Sequence, residues 1–223
     1  MNSPTAHTWG AIFDWDGVVI DSSAQHEASW ERLALEVGKP LPPDHFKLGF
    51  GRKNEFIIPE LLGWSHDPTE IKTLSLRKEA LYRDIVQERG LAPLPGVRDW
   101  LQRLADAGIP CAVGSSTHRL NIEVSLGIIG LAAFFTGIVS SEDVTQGKPA
   151  PDVFLRAAEK IHRTPERCVV FEDAHVGIQA ARNAGMKVIA VATTNPLADL
   201  TAADLAVERL DELSIEKIDG WFV

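Results

Sequence analysis

The chain has 223 residues, 45% hydrophobic and 24% charged, a globular composition that excludes wholesale disorder. Lysine and arginine number 22 against 31 acids, a formal net charge of −9 with no basic run, which argues against nucleic acid as a partner. An anionic small substrate would therefore need local help from a lysine, an arginine or a metal. Apolar runs such as VIAVA are strand-length, far short of the ~20 residues of a spanning helix, so no membrane partner is expected. The opening MNSPTAHTWGAIFD has neither a basic region nor a long apolar region of secretory type. Cys111 and Cys168 sit in apolar runs (IPCAV, RCVVF), as buried reduced thiols do. A soluble, cytoplasmic, monomeric protein is the expectation.

In chain order, continuous apolar runs occur at 10–14 (GAIFD), 109–115 (IPCAVGS), 136–141 (TGIVSS), 168–173 (CVVFED) and 187–192 (KVIAVA), with a weaker one at 204–207 (DLAV). Continuous rather than alternating hydrophobicity suits strands buried on both faces of a parallel sheet. Between them lie amphipathic segments at 96–107 closed by Gly108, 118–126 closed by Gly127, 151–162, and 174–184 closed by Gly185. Strand alternating with helix predicts an α/β fold with a doubly wound, parallel, Rossmann-like sheet. One connection breaks the rhythm: no buried-strand run follows the first until Ile109. Ser22 with Gln25 reads as a capping box opening a helix toward Gly38, and Asp67-Pro68-Thr69-Glu70 opens another toward Gly90. Leu94-Pro95-Gly96 then marks a return. The predicted organisation is a core of residues 1–20 and 93–223 with an inserted α-helical cap at 21–92.

Ligands of an open parallel sheet bind beyond the carboxyl ends of its strands. Those ends carry Asp14-Trp15-Asp16-Gly17, Gly114-Ser115-Ser116-Thr117, Gln146-Gly147-Lys148-Pro149 and Glu172-Asp173. Each element alone is an ordinary turn or helix start; in this order, each at a strand end, they predict one site. Four converging carboxylates would repel one another unless a cation joined them, and hard oxygen ligands suit Mg²⁺. Mg²⁺ in turn implies a phosphate, whose charge it and Lys148 would neutralise. Asp14 could then attack in line and form an aspartyl phosphate, while Asp16 protonates the leaving oxygen and later deprotonates water. Ser115, Ser116 and nearby amides would hold the phosphoryl oxygens.

The segments FDWDGVVIDS, AVGSST, GKPAPDVF and VVFEDAHVGIQAARNAGM, with LPGV leading back into the core, resemble the haloacid dehalogenase superfamily, in its phosphoryl-transfer branch with a small helical cap. The likeness spans nearly the whole chain. It implies Asp14 as nucleophile, Asp16 as acid/base, and Ser115 and Lys148 as phosphoryl ligands. It also implies a Mg²⁺ site from Asp14, the backbone carbonyl of Asp16, Glu172 and Asp173. Dehalogenases of the superfamily lack the second aspartate, so Asp16 argues against carbon–halogen chemistry.

The cap resembles the β-phosphoglucomutase group at His26 in DSSAQHEASW, Arg52 in GFGRKNE and Lys78 in LRKEALY, with Ser22 where that group has a hinge threonine. The likeness implies roles in cap closure, in binding a distal phosphate and in contacting sugar hydroxyls; a solvated helix face would carry the same residues. KNE and GWSHDP also resemble plant phosphatases of riboflavin synthesis. Of the three indoles in or near the cap, Trp15, Trp30 and Trp64, the first two are expected to pack, with pocket lining as the alternative for Trp30, one helical turn after His26. The leading expectation is a Mg²⁺-dependent phosphatase of a small phosphorylated metabolite, such as a sugar phosphate. A β-phosphoglucomutase is the alternative, and a catalytically idle binding module on the same fold is a third reading.

Overall fold

The computed structural model describes residues 7–49 and 52–222. Six strands form one wholly parallel sheet: β1 (Gly10–Phe13), β2 (Cys111–Gly114), β3 (Gly137–Val139), β4 (Cys168–Glu172), β5 (Lys187–Val191) and β6 (Leu205–Val207). Their order is β3-β2-β1-β4-β5-β6, so the winding reverses between β1 and β4, where a doubly wound sheet opens its crevice. Every residue of β1, β2 and β4 is buried, which accounts for their unbroken apolar runs. Phe13 lies level with Val113 on one side and Phe171 on the other. The next residue of each of these strands therefore emerges at the same edge.

The chain divides into two compact units, residues 1–21 with 92–223, and residues 22–91. The second is helical: α1 (Ser23–Val37), α2 (His45–Gly49), α3 (Asn54–Phe56) running into a π turn at Ile57–Leu61, and α4 (Pro68–Arg89). Trp30, Leu33 and Ala34 of α1 pack with Ile57, Ile58, Trp64, Leu74 and Leu81. Trp30 meets Trp64 edge to face at 6.0 Å, and the Trp64 indole donates to the Pro40 carbonyl at 2.9 Å, so both indoles are core. The α4 start is as predicted: Pro68 opens the helix and the Asp67 side chain accepts from the Glu70 N–H at 2.8 Å. The α1 start is not. Ser22 occupies the N-cap position but makes no side-chain capping bond, so the predicted box with Gln25 does not form. Its φ of −108° and ψ of 6° depart from the extended geometry that aims a capping hydroxyl at the first turn.

The first unit supplies α5 (Val97–Asp106), α6 (Arg119–Ile129), α7 (Asp152–Lys160), α8 (His175–Asn183) and α9 (Ile215–Asp219). Side chains alternate across the sheet, so Val170 joins the cluster of α7 and α8 while Phe171 meets Trp100 of α5 at 6.1 Å. Phe13 stacks on Phe171 at 4.5 Å on that face. Trp15 is completely buried. One predicted boundary moves: α6 runs through Gly127 and ends at Gly130, which takes the left-handed φ of 66°. Burial of Leu126 and Ile129 on one face sustains the extra turn, at the modest cost of an interior glycine.

Candidate active site

The acids meet at the carboxyl edge of β1 and β4. Asp14 leaves β1 with its N–H bonded to the Phe171 carbonyl at 3.0 Å, which carries the pairing with β4 one residue beyond the strand. One carboxylate oxygen each of Asp14, Glu172 and Asp173 lie within 4.8 Å of one another. Lys148, on the loop after β3, inserts its ammonium among them, 2.5 Å from Glu172 Oε1 and 3.0 Å from Asp14 Oδ1. Glu172 is wholly buried, its other oxygen accepting the backbone N–H groups of Asp173 at 2.8 Å and Ala174 at 2.9 Å. Asp14 Oδ1 is different. Lys148 reaches it at ion-pair distance, yet the buried atom has no hydrogen bond of acceptable geometry.

Three carboxylates against one ammonium leave this pocket with excess negative charge. Burial pushes Glu172 above the carboxylate range, with Asp14 and Asp173 adding to it against Lys148. Burial and Asp14 likewise raise Asp173. For Lys148, burial works downward, and the attraction of Asp14 and Glu172 outweighs it and holds the ammonium above its ordinary value. Two raised acids beside a firmly charged lysine are the mark of a site still short of positive charge. The donor set is all oxygen and includes a buried carboxylate oxygen without a hydrogen bond, so the residues present fit a hard divalent cation.

Asp16 does not join that trio, which corrects the expectation of four converging carboxylates. Its Oδ2 accepts a short hydrogen bond from the Thr117 hydroxyl on the loop after β2. The cause is local. Gly17, at φ 79°, turns the chain, and its N–H bonds to the Ile20 carbonyl at 2.7 Å, so Asp16 leaves on a tight turn rather than along the strand. Ser115 is buried, and its hydroxyl accepts from the Thr117 N–H at 3.2 Å; Ser116 is exposed.

Within the helical unit, two of the four sequence candidates come together. Lys78, 3% exposed, lies 2.7 Å from His26 Nδ1 and 3.1 Å from Glu79 Oε1. Glu79 also accepts from Asn54 at 2.7 Å, and His26 stacks on Tyr82 at 4.0 Å. Arg52 instead sets its guanidinium over the Phe56 ring at 4.6 Å. Ser22 is buried at the α1 start. Phe50 and Gly51, inside the GFGRKNE motif, lie outside the described residues. Asn54 and Glu79 were missed in the sequence because buried polar partners on a helix look like a solvated face.

Sequence reasoning placed Gly17 and Thr117 at strand ends without giving them a role, and it missed Gly177 and Thr194. A side chain at Gly177, in the first turn of α8, would land on the Glu172 carboxylate, and one at Gly17 would land on Asp173. Thr117 and Thr194 donate to Asp16 and Asp173. Thr194 also follows a strand end, so extending the strand-end rule to ATTN would have found it.

Residues 11–191 match the model of the haloacid dehalogenase-like hydrolase family. The chain belongs to this family. It is 42% identical over 92% of its length to the chloroplastic 5-amino-6-(5-phospho-D-ribitylamino)uracil phosphatase of Arabidopsis thaliana, of which it spans 56%. It is 30% identical to the β-phosphoglucomutase of Bacillus subtilis, over 92% of this chain and 91% of that one. Its fold superposes on a family IA hydrolase of the same kind from Entamoeba histolytica with a TM-score of 0.85 and 28% identity, covering 96% and 98% of the two chains. Among the described residues no helix is long and apolar enough to cross a membrane. Both cysteines are free and buried, and burial pushes each thiol up to about 12, which leaves them inert.

Proposed function

We propose that the protein is a Mg²⁺-dependent phosphatase of a phosphorylated sugar or sugar alcohol, acting through an aspartyl phosphate on Asp14. The observation that carries this reading is the trio of Asp14, Glu172 and Asp173, the last two buried, with Lys148 paired to Asp14 and Glu172 and Asp16 held on Thr117. Asp14, Asp173 and Glu172, with the Asp16 backbone carbonyl, would hold Mg²⁺, which when bound supplies positive charge against the phosphoryl oxygens. Asp14 attacks phosphorus as the bond to the leaving alcohol breaks, and Asp16 gives that oxygen its proton. Asp16 then takes a proton from water, which attacks phosphorus and releases inorganic phosphate and free Asp14. Separation from the trio suits Asp16 to this task, because a carboxyl inside a cation site could not carry the proton. Lys148 and the Ser115 hydroxyl hold the non-bridging oxygens, with Ser116 at the exposed rim.

The Arabidopsis relative is a phosphatase by name and is more similar than the mutase, which supports hydrolysis over isomerisation. In the helical unit Lys78 is already paired with Glu79. That near-neutral, hydrogen-bonding cluster with His26 suits hydroxyl groups better than a second phosphate, and leaves only Arg52 of the candidates as a distal-phosphate ligand. The deciding experiment is a phosphomonoester panel with Mg²⁺, including hexose phosphates and 5-amino-6-(5-phospho-D-ribitylamino)uracil, scored for free phosphate and for isomerised product. Phosphate release is expected. Fast formation of glucose 6-phosphate from β-glucose 1-phosphate, dependent on glucose 1,6-bisphosphate, would replace the phosphatase by the mutase, with Arg52→Ala then costing more in isomerisation than in hydrolysis.

A further inference from the structure

The loop after β5 reads Thr193-Thr194-Asn195. Its three side chains all reach the elements that carry the acids. The Thr194 hydroxyl donates a short hydrogen bond to Asp173 Oδ2. Asn195 Nδ2 donates to the backbone carbonyl of the same Asp173 at 2.9 Å. The Thr193 hydroxyl donates to the carbonyl of Gly17, on the turn that follows Asp14 and Asp16. That turn is pressed against the same carboxylate, since a side chain at Gly17 would collide with Asp173 and touch Thr194. One tripeptide thus fastens both the β1 turn and the β4 turn. Glu172 is held by Lys148 and two backbone amides; Asp173, 2% exposed, accepts a side-chain hydrogen bond from Thr194.

We propose that Thr194, with Asn195, is a positioning residue for the cation site: it occupies Asp173 Oδ2 and so commits the other oxygen to the metal. The inference rests on the proposed cation site and adds residues to it. A carboxylate that can rotate presents either oxygen and must be ordered when the cation binds. One whose second oxygen is already engaged loses less freedom, and partners of this kind are worth about 10–100-fold in metal affinity. Thr194 is exposed at its outer surface, so replacing it should leave the core undisturbed.

The test measures Mg²⁺ binding by isothermal titration calorimetry on the whole chain without substrate, with Mn²⁺ binding by electron paramagnetic resonance as a second readout. Thr194→Val keeps the shape and removes the hydroxyl; it should weaken both cations about tenfold, with the circular dichroism spectrum of the folded wild type retained in EDTA. Thr194→Ser restores the donor and should return affinity to within about twofold of wild type, and Asn195→Ala should weaken binding less than Thr194→Val. Wild-type affinity in Thr194→Val, or equal losses in the Val and Ser variants, would overturn the assignment. If the wild type binds neither cation, or Asp173→Asn binds both unchanged, the cation site itself falls, a result separable from failure at Thr194 alone.

Discussion

Two aspartates separated by a single tryptophan end up in different environments. Asp14 shares a buried pocket with two acids and a lysine, whereas Asp16 is held on a hydroxyl. The difference follows from the turn at Gly17 and assigns different chemistry to identical side chains. Asp14→Asn should abolish turnover, because an amide cannot form the acyl phosphate, and rapid-quench phosphorylation should detect no phosphoenzyme. Asp16→Asn should slow hydrolysis by about 10²–10⁴-fold for sugar phosphates, whose leaving alcohol needs a proton. The loss should be much smaller for an aryl phosphate with an acidic leaving group, and equal losses on both substrates would remove Asp16 from the acid/base role. These two acids were legible in the sequence from their place after a strand; that only one joins the trio was not.

At the scale of elements, the site is a junction between a strand end and a helix start. Glu172 closes β4 and tucks its carboxylate beneath the first turn of α8, where Gly177 leaves room for it. Gly177→Ala would place a methyl group on a carboxylate that Lys148 and two amides hold in place. Overpacking of this kind costs about 1–3 kcal/mol, to be read in a denaturant titration, and Mg²⁺ affinity should fall with it. Gly127→Ala, in the interior of α6 with nothing near its added methyl group, should instead be neutral or stabilising by up to about 1 kcal/mol. Burial marks made α5, α7 and α8 readable from periodicity. The end of α6 was misread because glycine signals a helix stop only where the following residues do not continue the buried stripe, and Ile129 continues it.

At the scale of the molecule, the unneutralised acids make stability depend on pH and metal together. Glu172 and Asp173 have folded-state affinities for protons above those of the unfolded chain. The folded state therefore holds more protons than the unfolded one from the ordinary carboxylate range upward, and by linkage stability falls as pH rises through that window. In EDTA the melting temperature should be higher at pH 5.5 than at pH 7.5. Saturating Mg²⁺ should shrink or reverse that difference, since a cation that binds only the folded state stabilises it by mass action. Glu172→Gln should flatten the metal-free pH dependence. A melting temperature that rises with pH in EDTA, in wild type and variant alike, would contradict the charge state described for the pocket.

Period and punctuation in the sequence determined the parallel α/β class, the helical insertion and the strand ends that bear Asp14, Ser115, Lys148 and Glu172-Asp173, because burial on two faces and strand-end chemistry both act along the chain. They also placed Asp67 and Pro68 at a helix start, where the interaction spans three residues. Contacts between distant segments were decided only by the tertiary structure. Thr117 meets Asp16 across 101 positions and Thr194 meets Asp173 across 21, while Gly17 and Gly177 matter for the carboxylates that fill the space beside them. The solvated helix face that the sequence allowed for Lys78 is not what forms: Lys78 and Glu79 are buried, with His26 and Asn54, from other helices, as their partners. A local pattern records what a residue prefers; whether a polar group is buried, and which oxygen of a carboxylate stays open to a cation, depends on partners that only folding brings within hydrogen-bonding range.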